Sequence, residues 1–183
     1  MTLKNYKMVG AILIFLLCFL FHFLYDWLPN PLFSLFFPVN ESIWEHMKLL
    51  FTPFVVYTIV EYLFLRKYEK INNIYFQLFL IPIVGIIIYL LIFLPVYYKI
   101  GENMIFSIAL LFVTICIEQF LSYKFCKLEE FKYQTTIGVF GCILTLFAFS
   151  YFTYLPLKQE LFFDTQNEIY GIPENIKNTV YKR

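Results

Sequence analysis

The sequence predicts an all-α integral membrane bundle of about five transmembrane helices, with the N-terminus inside and the C-terminus outside. Three observations lead there. The 183 residues are 61% hydrophobic and only 15% charged, with a mean hydropathy of +0.71, which is more apolar surface than a water-soluble fold can hide. Apolar runs close to the ~20 residues that cross a bilayer recur along the chain. Lysine and arginine gather in alternate connections, the bias that sets orientation.

The run from Met8 to Leu24 carries no Asp, Glu, Lys or Arg, and Lys4 and Lys7 precede it. No small-x-small cleavage site follows, so the run reads as an uncleaved span over about 8–28 rather than a signal peptide. Pro29, Pro31 and Pro38 then forbid a regular helix, yet Leu32, Phe33, Leu35, Phe36 and Phe37 are too apolar for a solvated loop. This segment is expected to lie in the interface or dip into the protein. The second span, about 42–65, opens on Ser42-Ile43-Trp44-Glu45, a capping-box pattern, and should kink at Pro53. Further spans at about 74–96, 103–123 and 133–155 complete a transmembrane domain over 1–155. Residues 156–183 form a polar extracytoplasmic tail, expected to be partly ordered over the outer end. Glu160, Asp164 and Glu168 recur there every fourth residue, as on a helical face, while Asp164-Thr165-Gln166-Asn167 reads as a turn.

The inner side receives Lys4 and Lys7, then Arg66, Lys67 and Lys70, then Lys124, Lys127 and Lys132. The outer side receives Asp26, Glu41, Glu45, Glu102, Glu160, Asp164, Glu168 and Glu174, with both histidines. A multi-pass protein of the cell membrane follows, with the lipid bilayer as its first partner. Glu61 and Glu118 read as inner-rim ion-pair partners of Arg66 and Lys124, a proton or ion relay being the alternative. A net charge of +1 without a basic face excludes nucleic acid. The cysteines, Cys18, Cys116, Cys126 and Cys142, are scattered singly and read as small apolar filler. No phosphate loop, GxSxG elbow, HExxH helix or kinase signature is present.

The stretch from His22 to Lys48 holds both histidines, both tryptophans and the carboxylates Asp26, Glu41 and Glu45 where one apolar run gives way to the next. Charge beside lipid is costly, so a functional site is sought here. Cys18, His22 and Asp26 recur at intervals of four and share one helical face; the plain reading is end-capping and filler, the functional one a ligand set. A short connection makes the first two spans antiparallel neighbours. That places His22, Asp26 and His46 as candidate ligands of a divalent metal such as zinc, with Glu45, His46 and Glu41 as candidate catalytic groups. The plain reading of Glu41, Glu45 and Lys48 is a favoured first helical turn with an ion pair at i, i+3. Trp27 and Trp44 read as an outer aromatic belt.

The string Pro38-Val39-Asn40-Glu41-Ser42-Ile43-Trp44-Glu45-His46-Met47-Lys48, preceded by HFLYDW and followed far downstream by LFFDTQNEIYGI, resembles a family of small multi-pass membrane proteins from Gram-positive bacteria with no assigned activity. The resemblance implies a bacterial membrane location. It marks His22, Tyr25, Asp26, Trp27, Asn40, Glu41, Ser42, Trp44, Glu45, His46 and Lys48 as pattern residues, with Asp164, Tyr170 and Gly171 from the tail. Three functions stay open: a metal-dependent hydrolase or transferase acting on a lipid or lipid-linked substrate, a structural or regulatory partner of another membrane protein, and a small transporter subunit. The absence of charge between the outer cluster and Glu61 and Glu118 weighs against an ion path.

Overall fold

The computed structural model of the chain describes residues 2–68 and 70–173; Glu174 and the rest of the tail lie outside them. Helix α1, Leu3–Trp27, is opened by the Thr2 side chain, which accepts from the Asn5 N–H. Between the prolines stands a short helix, α2, Pro31–Phe36, where the sequence reading excludes a regular one. It forms because Pro31 occupies the first turn, where a backbone N–H is not needed, and Asn30 caps it by accepting from the Phe33 N–H at 3.0 Å.

Helices α3, Ile43–His46, and α4, Lys48–Leu65, meet at Met47 and form one apolar span. The capping box at its start is half made. Ser42 Oγ accepts from the Glu45 N–H at 3.3 Å, but the Ser42 N–H donates to Asn40 Oδ1 at 2.9 Å, and the Glu45 carboxylate turns elsewhere. Helices α5, Ile74–Ile100, α6, Met104–Lys127, and α7, Gln134–Tyr154, follow. Five helical stretches are thus long and apolar enough to cross a bilayer, as the apolar runs predict, and the chain is a multi-pass membrane protein.

Helix α1 packs on α4 and α6, and α5 packs on the same two, so these four close a ring; α7 adds to the outside of α5. Small residues let the last pair approach, as is usual where lipid supplies no hydrophobic drive between helices. A Cβ on Gly138 of α7 would stand 2.1 Å from the Tyr75 carbonyl oxygen of α5. Leu13, Leu16 and Leu20 of α1 and Phe140, Ile143 and Phe147 of α7 remain exposed, presenting hydrocarbon outward.

At the end where α1 begins, the ion pairing differs from the sequence reading. Buried Glu61 pairs with Lys7, 54 residues away, rather than with Arg66, and Lys7 Nζ also donates to Ser122 Oγ at 2.8 Å. Ser122 in turn donates to Gln77 Oε1 at 2.7 Å. Glu118 has no ion-pair partner among the described residues; Lys124 instead lies over the Phe120 ring.

At the opposite end the tail folds back. A 3-10 turn, Glu160–Phe162, leads into strand β1, Phe163–Asp164, which pairs antiparallel with β2, Ile169–Tyr170. Of the two readings of the tail, the turn is the one that forms. Trp44 packs on Phe149, Phe152 and Phe162, so it anchors the tail to α7 rather than standing in an outer belt; Trp27 is 60% exposed, as a belt residue should be. Tyr25, Val39 and Ile172 form a small buried cluster beneath the returning chain.

Candidate metal centre

Three side chains meet where α1, the loop after α2, and α3 come together. His22 projects from the last two turns of α1, His46 from the end of α3, and Glu41 from the loop between α2 and α3. Nε2 of His22 lies 3.1 Å from Nε2 of His46, and Glu41 Oε2 lies 3.5 Å and 3.4 Å from the two nitrogens. All three side chains are about one-quarter to one-third exposed, so the cluster is reachable.

Second contacts orient His46 and Glu41, while His22 Nδ1 meets no hydrogen-bond partner among the described residues. His46 Nδ1 is 2.9 Å from the Ser42 carbonyl oxygen, which can only accept, so Nδ1 carries the hydrogen and Nε2 turns a lone pair to the cluster. Glu41 is placed through its backbone: its N–H donates to Asp164 Oδ2 at 2.9 Å. Asp164 is fully buried and also accepts from the Gln166 and Asn167 N–H groups and from Asn167 Nδ2. Asn40 Nδ2 donates to the Gly171 carbonyl at 2.8 Å, so the tail hairpin holds the chain at both Asn40 and Glu41. Gly171 is required at that grip, since its φ is +68° and a Cβ would meet the Thr153 carbonyl at 2.8 Å.

Attraction to the His22 ring and then the His46 ring holds the Glu41 carboxyl well below the usual carboxylate range, outweighing the opposite push of its partial burial. Burial also opposes ionisation of Asp164, but the Asn167 amide and the backbone N–H groups of Glu41, Asn167 and Gln166 outweigh it and hold this carboxyl low as well.

The remaining expected residues lie elsewhere. Asp26 is exposed at the end of α1 and does not join the ligand atoms. Its place among the convergent groups is taken by Glu41. Glu45 is buried and turned away from the histidines: Oε2 accepts from Lys48 Nζ at 2.6 Å and the Val39 N–H at 3.1 Å, and Oε1 accepts from Thr153 Oγ1 at 2.6 Å. Lys48, with no exposed surface, donates further to the Ser34 carbonyl and to Thr153 Oγ1, both at 2.8 Å. Tyr170 is partly exposed and its ring packs on Phe163.

Beside the cluster opens a cavity of about 490 Å³ whose walls include His22, Glu41 and His46 with Phe19, Leu50 and Leu111. Cys18, Tyr89 and Ser107 also line it, as does Glu102 from the connection before α6. The sequence reading puts Glu102 only in the acidic rim; the available signal is that its connection returns to the same end as His22.

His22, Glu41 and His46 are the described His, Cys, Asp and Glu residues whose ligand atoms approach closely enough to hold one metal ion. Three such atoms so close need a hydrogen or a metal ion among them: a hydrogen on His22 Nε2 can point to the other two, or all three lone pairs can face one cation. In a tetrahedral zinc site with bonds of ~2.0–2.1 Å, neighbouring ligand atoms stand about 3.3 Å apart. The observed 3.1, 3.4 and 3.5 Å have the size of one face of that tetrahedron.

A family model described as a family of unknown function (DUF6512) matches residues 1–172 of the chain. Neither a curated protein nor a solved structure matches it.

Proposed function

The chain belongs to DUF6512, a family of unknown function, which brings no activity with it, and from the site itself we propose a membrane-embedded metal-dependent hydrolase or transferase acting on a lipid-type substrate. His22, Glu41 and His46 hold a divalent ion, zinc by donor set, because two imidazoles and one carboxylate with an open fourth position make a catalytic rather than a structural site. Such an ion supplies a water activated near neutral pH and polarises a carbonyl or phosphoryl oxygen. Asp26 takes no part in holding it, and Glu45 serves to neutralise Lys48. Glu102, on the cavity wall, is the carboxylate left free to take a proton from the attacking water.

The observation that carries the reading is the convergence of Nε2, Nε2 and Oε2 at the mouth of the cavity. The walls supplied by Phe19, Phe23, Leu49, Leu50 and Leu111 suit an acyl or prenyl chain, with its polar junction at the histidines. The positive-inside bias of the connections supports an opening on the outer face of the cell membrane.

The test is turnover. Zinc-loaded protein in lipid nanodiscs is incubated with a panel of acyl-ester and phosphoryl lipids, and products are followed by mass spectrometry. Product formation abolished by a chelator, restored by zinc and reduced at least a hundredfold in His22→Ala supports the proposal. Product formation indifferent to the chelator, or none across the panel, contradicts it.

A further inference from the structure

Glu118 lies deep in the membrane domain and the site above does not use it. It stands fourteen residues from Met104 and nine from Lys127 on α6. At ~1.5 Å per residue it is therefore about 21 Å from one end of the helix and 14 Å from the other. It has no exposed surface, and neither carboxyl oxygen meets a hydrogen-bond partner among the described residues. Its head fills the space left by the missing side chain of Gly85 on α5, where a Cβ would stand 1.9 Å from Oε1.

An ionised carboxylate held at that depth without a counter-charge costs many kcal/mol, and even the neutral acid costs about 1–3 kcal/mol when unpaired. Intramembrane acids kept at such cost mark proton or ion sites. The surroundings supply a direction for exchange. Leu111, two turns before Glu118 on α6, lines the histidine-end cavity together with Cys18 of α1, the helix packed on α6. Tyr89, one turn beyond Gly85 on α5, lines the same cavity. Toward the other end, Ser122, one turn along α6, is already bonded to Lys7 and Gln77.

The titratable groups facing this region from the helices packed on α6 are Lys7 and Cys18 of α1 and Tyr89 of α5, with Glu61 of α4 reached through Lys7. None is hydrogen-bonded to Glu118 among the described residues. On the lysine side the neighbouring polar groups are already tied up in an ion pair, while on the histidine side Cys18 and Tyr89 border the cavity.

We propose that Glu118 is a proton-binding site at mid-membrane that loads and unloads through the histidine-end cavity, past Cys18 and Tyr89. A carboxylic acid of this kind reacts with dicyclohexylcarbodiimide dissolved in lipid. The acid proton passes to one carbodiimide nitrogen, the carboxyl oxygen bonds to the central carbon, and acyl migration to nitrogen leaves a stable N-acylurea carrying the whole reagent. A carboxylate does not start the reaction, so labelling reports the proton.

The experiment uses metal-free full-length protein in vesicles of known orientation, with pH set separately on the two sides and the adduct located by peptide mass spectrometry. The expected result is an adduct on Glu118 whose rate falls about tenfold per pH unit once the group ionises, as pH rises on the histidine side. The rate should not respond to the lysine side, and Glu118→Gln should remove the adduct. An unlabelled Glu118, labelling indifferent to pH on both sides, or labelling that follows the lysine side overturns the proposal. The wild-type pH asymmetry needs no variant to fold, and the absence of metal separates this result from any failure of the enzyme reading.

Discussion

Asp164 Oδ2 accepts the backbone N–H of Glu41 at 2.9 Å, across 123 residues of sequence. This contact ties the tail to the candidate metal centre, because the direction of the Glu41 side chain follows from where its backbone is held. The tail is therefore part of the site's construction. It grips the loop that the Asn40-Glu41-Ser42 string provides, with Asn40 and Gly171 making the second attachment.

Replacing Asp164 by Asn should loosen this grip. Loss of a buried charge accepting several donors costs about 1.5–3 kcal/mol, and the expected sign is faster hydrogen exchange at the Glu41 amide with a lower affinity for zinc. The Asp164 carboxyl is held below its ordinary value in the folded chain. Its contribution is therefore fully present above the ordinary carboxylate range, near pH 4, and is lost as pH falls below that range through the folded value. Exchange at the Glu41 amide followed from pH 6 to pH 3 should show the acid loosening in the wild type and a flatter profile in Asp164→Asn.

The buried pair Lys48 and Glu45 should behave as a unit. Lys48→Met leaves a carboxylate without its charge partner at a site with 2% exposure, a change expected to cost about 3–5 kcal/mol. Adding Glu45→Gln to the same chain removes the stranded charge and should recover a large part of the loss. Thermal unfolding in detergent of the two single variants and the double one checks this. Simple additivity of the two single losses would show that the pair does not act together.

Gly138 tests the packing of α7. Because the atom facing it is the backbone oxygen of Tyr75 rather than a movable side chain, Gly138→Ala must separate α5 and α7. A loss of about 1–3 kcal/mol is expected, read as a lower midpoint of thermal unfolding, while zinc binding at the distant histidines stays the same.

The spans were legible because apolar runs of about bilayer length leave few other folds. The stretch from His22 to Lys48 was legible as a site because ionisable groups crowd there between two such runs. Which carboxylate joins the histidines was not. Asp26 shares a helical face with His22 by period, but α1 ends at Trp27 and leaves Asp26 exposed. Glu41 belongs to no helix, and its placement depends on Asp164, a contact that no local periodicity reveals. Glu45 obeys the local rule for a first turn only in its backbone, while Val39, Lys48 and Thr153 claim its side chain. Glu61 likewise found Lys7, distant in sequence, rather than Arg66, since helix α1 packs directly on α4.

The central claim is that His22, Glu41 and His46 hold one metal ion, and the direct measurement is zinc per chain by elemental analysis after equilibration at pH 7.5 and removal of free metal. The account predicts about one zinc in the wild type, in Asp26→Asn and in Glu102→Gln, and a fall to below about one-tenth in His22→Ala, His46→Ala and Glu41→Gln. It also predicts that the wild type loses zinc as pH is lowered, because only neutral imidazoles bind metal. Absence of zinc and of other divalent metals from the wild type, or full occupancy in the His46→Ala variant, would contradict it.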